Sequence, residues 1–137
     1  MEKIRVILAD DHEIYREGLK HTLSHIPGVE IIAEASNGSE LSGLPELKDA
    51  DVLLVDIRMP VMNGIEASSL ILKRFPALRI IGLTMYYDTD YLAGMLEAGV
   101  DSFLLKNTDQ GELEDALLAV TRGESFIAYR TRSSYIQ

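Results

Sequence analysis

Five residues able to do chemistry close four short apolar runs. Asp10 and Asp11 follow Ile4-Arg5-Val6-Ile7-Leu8-Ala9, and Asp56 follows Val52-Leu53-Leu54-Val55. Thr84 follows Ile80-Ile81-Gly82-Leu83, and Lys106 follows Phe103-Leu104-Leu105. If the runs are parallel neighbours in an open α/β sheet, three carboxylates, a hydroxyl and an ammonium meet where such sheets bind ligands, outside the carboxyl ends of the strands. Two carboxylates ~4 Å apart repel by about 4 kcal/mol at an effective dielectric of about 20. Three converging carboxylates therefore need a cation or raised pKa values. The chain has no cysteine and no suitably clustered histidine, so oxygen ligands point to Mg²⁺, or Mn²⁺ in vitro. A carboxylate nucleophile beside such a cation suits phosphoryl transfer through an acyl phosphate. Lys106 can pair with the phosphoryl charge and Thr84 can donate a hydrogen bond to it.

Each residue also has a plainer role. Asp10 and Asp11 can cap a helix. Asp56 can be a turn residue, Thr84 a cap before Tyr86-Tyr87-Asp88, and Lys106 a surface lysine. The joint site is the reading that explains all four strand ends together. His21 and His25 have an i, i+4 spacing that can hold zinc, but HExxH and a third ligand are absent, so they read as a solvent face. His12 can contact a neighbouring group and is given no catalytic role. Neither GxxxxGK[ST] nor GxGxxG occurs.

The elements that must position these residues alternate strand and helix. Strands are expected at 4–9, 29–35, 52–55, 79–83 and 101–105. Helices are expected at 12–26, 38–47, 65–75, 89–98 and 110–122. Tyr15, Leu19, Leu23 and Ile26 form the apolar face of the first helix. Leu113, Ala116, Leu117 and Val120 form that of the last. Pro27-Gly28, Pro76, Gly99 and Gly123 end helices, while Gly43 and Pro45 weaken the second one. Strands that are apolar throughout imply burial on both faces, hence a parallel sheet between helix layers.

The 137 residues suit one domain with a real core. No apolar run approaches the ~20 residues of a bilayer span, and the N-terminus lacks a secretory pattern. With no cysteine, a cytoplasmic protein is expected. The net charge of −9 argues against this chain itself coating nucleic acid. From Glu124 to Gln137 the periodicity fades and Arg130, Arg132, Ser133 and Ser134 appear. Residues 1–123 read as the domain and 124–137 as a linker or tail, with an excised domain favoured over a stand-alone one.

Ala9-Asp10-Asp11-His12, Val55-Asp56-Ile57-Arg58-Met59-Pro60 with Asn63-Gly64, Leu83-Thr84 and Phe103-Leu104-Leu105-Lys106 resemble the receiver domain of two-component response regulators. The likeness covers about residues 3–123. Asp11-His12-Glu13-Ile14-Tyr15-Arg16-Glu17-Gly18-Leu19 and Leu83-Thr84-Met85 resemble the NarL/FixJ (LuxR-type) subfamily.

The resemblance implies a flavodoxin-like (βα)5 sandwich with sheet order 2-1-3-4-5. It implies that Asp56 accepts a phosphoryl group from a sensor histidine kinase. Asp11 and Asp56 would bind Mg²⁺ directly, Asp10 mainly through water, and Arg58 through its carbonyl. Thr84 and Lys106 would hold the phosphoryl group, and Phe103 would turn inward as Thr84 moves. Arg58 and Tyr86 would flank the attacking water and lengthen the phosphoryl lifetime. A homodimer through Ile14 and Leu118 is expected on phosphorylation. Contact with DNA is expected only through an output domain absent from this chain. An aspartyl phosphohydrolase would want a second aspartate where Arg58 stands, and a cap over its substrate. A non-phosphorylated interaction module would not need every site residue.

Overall fold

A computed structural model describes residues 3–85 and 89–127. Five strands run through it: β1 (Ile4–Ala9), β2 (Val29–Ala35), β3 (Val52–Asp56), β4 (Arg79–Thr84) and β5 (Ser102–Leu105). The helices between and after them are α1 (Glu13–Ser24), α2 (Gly38–Ser42), α3 (Gly64–Arg74), α4 (Thr89–Ala98) and α5 (Gln110–Thr121). The sheet is parallel in order β2-β1-β3-β4-β5, the flavodoxin-like arrangement.

Alternation along the strands divides the core in two. Ile7, Ala9, Leu53 and Val55 face the layer containing Ala67, Ile71 and Met95. Val6, Leu8, Val52 and Leu54 face Leu19, Leu23, Leu113 and Leu117. Burial on both faces is why β1 and β3 read as continuous apolar runs. Ile26, Ala116 and Val120 are buried as expected, and Tyr15 is half-buried.

One local outcome differs from the sequence reading and two add to it. The helix expected at 38–47 is divided into α2 and a 3-10 turn at Pro45–Lys48. Gly43 ends the first piece, and Pro45, with no N–H to give, opens the second. Neither Asp10 nor Asp11 caps α1. His12 is the N-cap residue and makes no side-chain cap bond, while Asp10 Oδ1 accepts the His12 N–H at 2.7 Å. The acidic pair is thereby left to the strand ends.

The third concerns the residues after α5. Phe103 N–H donates to the Phe126 carbonyl at 2.8 Å, and Ile127 bridges Phe103 in parallel. Ser102 Oγ accepts the Phe126 N–H at 3.0 Å, and Phe126 packs against the core. Residues 124–127 thus run along the open edge of β5. Residues 128–137 of the expected tail, like Tyr86, lie outside the described residues.

Candidate functional site

The loop after β3 is built to hold its last residue still. Asp56 ends the strand, and its Oδ1 accepts the Arg58 N–H at 3.0 Å. Ile57 N–H reaches the Leu83 carbonyl at 3.1 Å, and Gly64 N–H reaches the Ile57 carbonyl at 2.8 Å. Asn63 and Glu66 form a capping box that starts α3. On β5, Lys106 is aligned by its own N–H, which donates to the Thr84 carbonyl at 2.8 Å.

These anchors bring the strand ends together. Lys106 Nζ donates to Asp56 Oδ2 at 3.0 Å and lies 2.7 Å from Asp10 Oδ2. The Asp10 and Asp56 side chains are 1% and 5% exposed, and that of Lys106 is 5% exposed, so the ions share a site that water hardly reaches. Asp10 Oδ2 is buried and makes no hydrogen bond, so its contact with Lys106 is an ion pair without hydrogen-bond geometry. Asp11 stands at the rim. Thr84 is half-buried at the end of β4. Phe103 is 3% exposed, and a Cβ on Gly82 would lie 3.1 Å from its ring and from Met95 Cε. The aromatic ring already sits inward, in the core.

Three residues join the site that sequence reading gave no role in it, and Arg58, expected there, makes a further contact. His12 Nδ1 lies 3.2 Å from Asp10, 3.3 Å from Asp11 and 3.9 Å from Asp56. The Tyr15 ring centre lies 4.8 Å from Lys106 Nζ, so a residue read only as core also faces the cation. Arg16 Nη1 donates to the Asp10 carbonyl while its Nε holds Glu34 at 2.9 Å. The Arg58 guanidinium sits 4.5 Å from the Tyr91 ring centre on α4. Tyr15 and Arg16 are one helical turn past the acidic pair, which is the only signal the chain offers. His21 and His25 are exposed, with rings 4.6 Å apart, and join no metal-holding group among the described residues.

Electrostatics sets the proton affinities. Burial raises the Asp56 carboxyl above its ordinary range, Lys106 opposes that rise, and Asp10 adds to it. Burial, helped by the charges of Asp10 and Asp56, pushes the Tyr15 phenol above its usual range. A raised carboxyl binds its proton more tightly in the folded protein than in the unfolded chain. Stability is then fullest below the unfolded pKa and declines as pH rises towards the folded one. Asp56→Asn should therefore raise the metal-free Tm at pH 7, and the gain should vanish below about pH 4, where the unfolded carboxyl is also protonated. Paired thermal melts in EDTA check this; a lower Tm for the variant at pH 7 would contradict it.

The donor set fits a hard cation. One ligand atom each from Asp10, Asp11, His12 and Asp56 lies within 4.8 Å of the others, and three of the four are carboxylate oxygens. Asp10 Oδ2, buried and ion-paired to Lys106 but without a hydrogen bond, is a further carboxylate oxygen of one of these residues. The acidic pocket can thus hold a metal ion.

The family model for the response regulator receiver domain matches residues 6–118. The chain belongs to the response regulator receiver family. The receiver is 43% identical over 121 residues to the transcriptional regulatory protein LiaR of Bacillus subtilis, covering 88% of this chain and 57% of that protein. Among solved structures, a LuxR-family two-component response regulator from Aurantimonas superposes with TM-score 0.87 at 30% identity, covering 96% of this chain and 94% of that one. The receiver domain of a putative NarL regulator from Mycobacterium tuberculosis gives TM-score 0.82 at 30% identity over 90% of this chain and all of that one. These likenesses place the receiver with the NarL/LuxR type. It spans a little over half the length of the curated relatives it matches. Response regulators are signalling proteins rather than enzymes on external substrates. No helix among the described residues is long and apolar enough to cross a membrane.

Proposed function

We propose that this receiver is a phosphorylation-driven switch in which Asp56 accepts a phosphoryl group from the phosphohistidine of a sensor histidine kinase. The observation that carries the reading is the seat of Asp56. It is buried at a strand end, with one oxygen held by the Arg58 amide and the other 3.0 Å from Lys106 Nζ. An Asp56 oxygen attacks phosphorus, the donor's P–N bond breaks, and the imidazole leaves with the bonding pair and takes up a proton. Lys106 is placed to follow the transferring charge, and the Thr84 hydroxyl to donate to a phosphoryl oxygen. Asp10, Asp11, Asp56 and the Arg58 carbonyl would hold Mg²⁺, with Mn²⁺ an in vitro substitute. When bound, that ion neutralises phosphoryl oxygens and offsets the repulsion among the carboxylates.

The switch is a population shift between two arrangements of Thr84 and Phe103. Phe103 is already buried, which supports an active-like packing accessible before phosphorylation. Phosphorylation then pulls Thr84 inward and fixes that packing. Arg58, resting on Tyr91, stands two residues past the acceptor, and with Tyr86 it would slow the approach of water. Ile14 on α1 is 90% exposed and Leu118 on α5 is 42% exposed, which suits a homodimer surface formed on phosphorylation. DNA would be reached through a separate output domain of a longer regulator, and the setting would be cytoplasmic.

Intact mass after incubation with acetyl phosphate and Mg²⁺ tests the reading. One phosphoryl adduct is expected on the wild type, none in EDTA and none on Asp56→Asn. An adduct that persists on Asp56→Asn would sink the assignment of the acceptor.

A further inference from the structure

A cleft of about 970 Å³ opens at the amino-terminal ends of the strands, the end of the sheet opposite Asp56. Five basic residues line it: Lys3 and Arg5 at β1, Lys48 closing the 3-10 turn, Arg74 closing α3 and Arg79 opening β4. Among the described residues Asp51 is the only carboxylate in the lining, and its Oδ2 accepts the Arg5 N–H at 2.8 Å. Arg16, Lys20, Lys106 and Arg122 are each paired with a carboxylate. None of the five cleft cations has a carboxylate within 4.0 Å among the described residues. In a chain of net charge −9, five cations without a carboxylate partner among the described residues thus share one concavity.

The floor and one wall are formed. Leu47 and Leu78 are buried beneath the cleft, and the Phe75 ring stands beside them. Arg74 is set in place, with its guanidinium 5.0 Å from the Phe75 ring centre and Nη1 donating to the Ser42 carbonyl at 2.7 Å. Small-molecule sites have volumes of about 300–1,000 Å³, and this cleft is at the top of that range.

We propose that the cleft binds a small polyphosphate anion, either a free polyphosphate chain or the phosphate chain of a nucleotide. Arginine forks and lysine ammonium groups recognise phosphate oxygens. Size selects the class of anion. Charges beyond ~8 Å are largely screened at physiological salt, so an anion inside the cleft responds to the five cations. A long nucleic acid or an acidic protein also meets the carboxylates elsewhere on the surface and is repelled. The site is separate from the phosphoacceptor, and its test stands apart from that reading.

Calorimetric titration of the full chain in EDTA with inorganic tripolyphosphate, ATP and adenosine tests the proposal. One-to-one binding of tripolyphosphate and ATP, and none of adenosine, is expected. Lys48→Gln/Arg79→Gln should weaken it by roughly tenfold to a hundredfold, as two charge-assisted contacts are lost. Lys73→Gln, an exposed cation outside the cleft, should leave it unchanged. ATP binding more tightly than tripolyphosphate identifies a nucleotide; equal affinity identifies the phosphate chain alone. Circular dichroism of the double variant confirms that the sheet is intact. No binding at low salt, equal binding by the double variant, or binding of duplex DNA or an acidic peptide but not tripolyphosphate would overturn the proposal.

Discussion

Lys106→Met will cost about 3–5 kcal/mol of stability at pH 7 without metal, because it removes the cation from a buried pair and leaves the anions behind. Asp10 and Asp56 are 1% and 3% exposed, so water cannot replace the ammonium that now lies 2.7 and 3.0 Å from their oxygens. Methionine keeps much of the aliphatic volume, so the loss reports charge rather than a cavity. The sign with pH follows. Asp56, already raised by burial, rises further without Lys106, so the deficit is full above its new folded pKa and shrinks as pH falls through it. Added Mg²⁺ should recover part of the loss by restoring positive charge beside the same carboxylates. Urea unfolding at pH 7 and pH 5, with EDTA or Mg²⁺, measures all of this. A deficit below about 1 kcal/mol at pH 7 would mean that the pair behaves like a surface salt bridge.

Gly64→Ala will damage the fold and the site together. A Cβ there would lie 2.4 Å from the Asp56 carbonyl oxygen and 2.9 Å from Ile57 Cα. Both obstacles are backbone atoms that no rotamer change can move aside. The start of α3 must retreat, stretching the Gly64 N–H bond to Ile57 and loosening the Asn63–Glu66 capping box. Overpacking of this kind costs about 1–3 kcal/mol, occasionally more. Asp56 is displaced at its own carbonyl, so its oxygens leave their alignment with Lys106. A misplacement of about 1 Å can cost roughly a hundredfold in rate. We expect adduct formation with acetyl phosphate to fall by tenfold to a hundredfold on that basis. Gly18→Ala is the contrasting change. Nothing lies within 4 Å of its Cβ, and it sits inside α1, so it should add about 0.5–1 kcal/mol. A Gly64→Ala protein that unfolds and phosphorylates like wild type would show that the β3–α3 loop tolerates movement.

The chain by itself determined the order and type of the elements and the residues at the strand ends. Periodicity is a local property, and burial on both faces makes β1 and β3 legible as unbroken apolar runs. Likewise Leu113, Ala116, Leu117 and Val120 were legible as the buried stripe of α5, with Leu118 left outside. The convergence of Asp10, Asp11, Asp56, Thr84 and Lys106 required that the strands be parallel and adjacent, since a parallel sheet carries every strand's carboxyl end to one edge and the order β1-β3-β4-β5 makes those ends neighbours.

Tertiary structure decided what depends on approach between distant segments. Tyr15 lies on the apolar face of α1 in any helical reading, yet only the fold brings the Lys106 side chain from the end of β5 to its ring. Arg16 reaches the Asp10 carbonyl and Glu34 because β2 lies next to β1. Residues 124–127 carry no periodic signal, and they run beside Phe103 because the edge of β5 offers unpaired backbone groups. The basic cleft is the clearest case. Lys3, Arg5, Lys48, Arg74 and Arg79 are scattered along a chain whose net charge points the other way. They become neighbours because the start of a parallel strand and the end of the helix or turn before it share one edge of the sheet, a proximity no local pattern encodes.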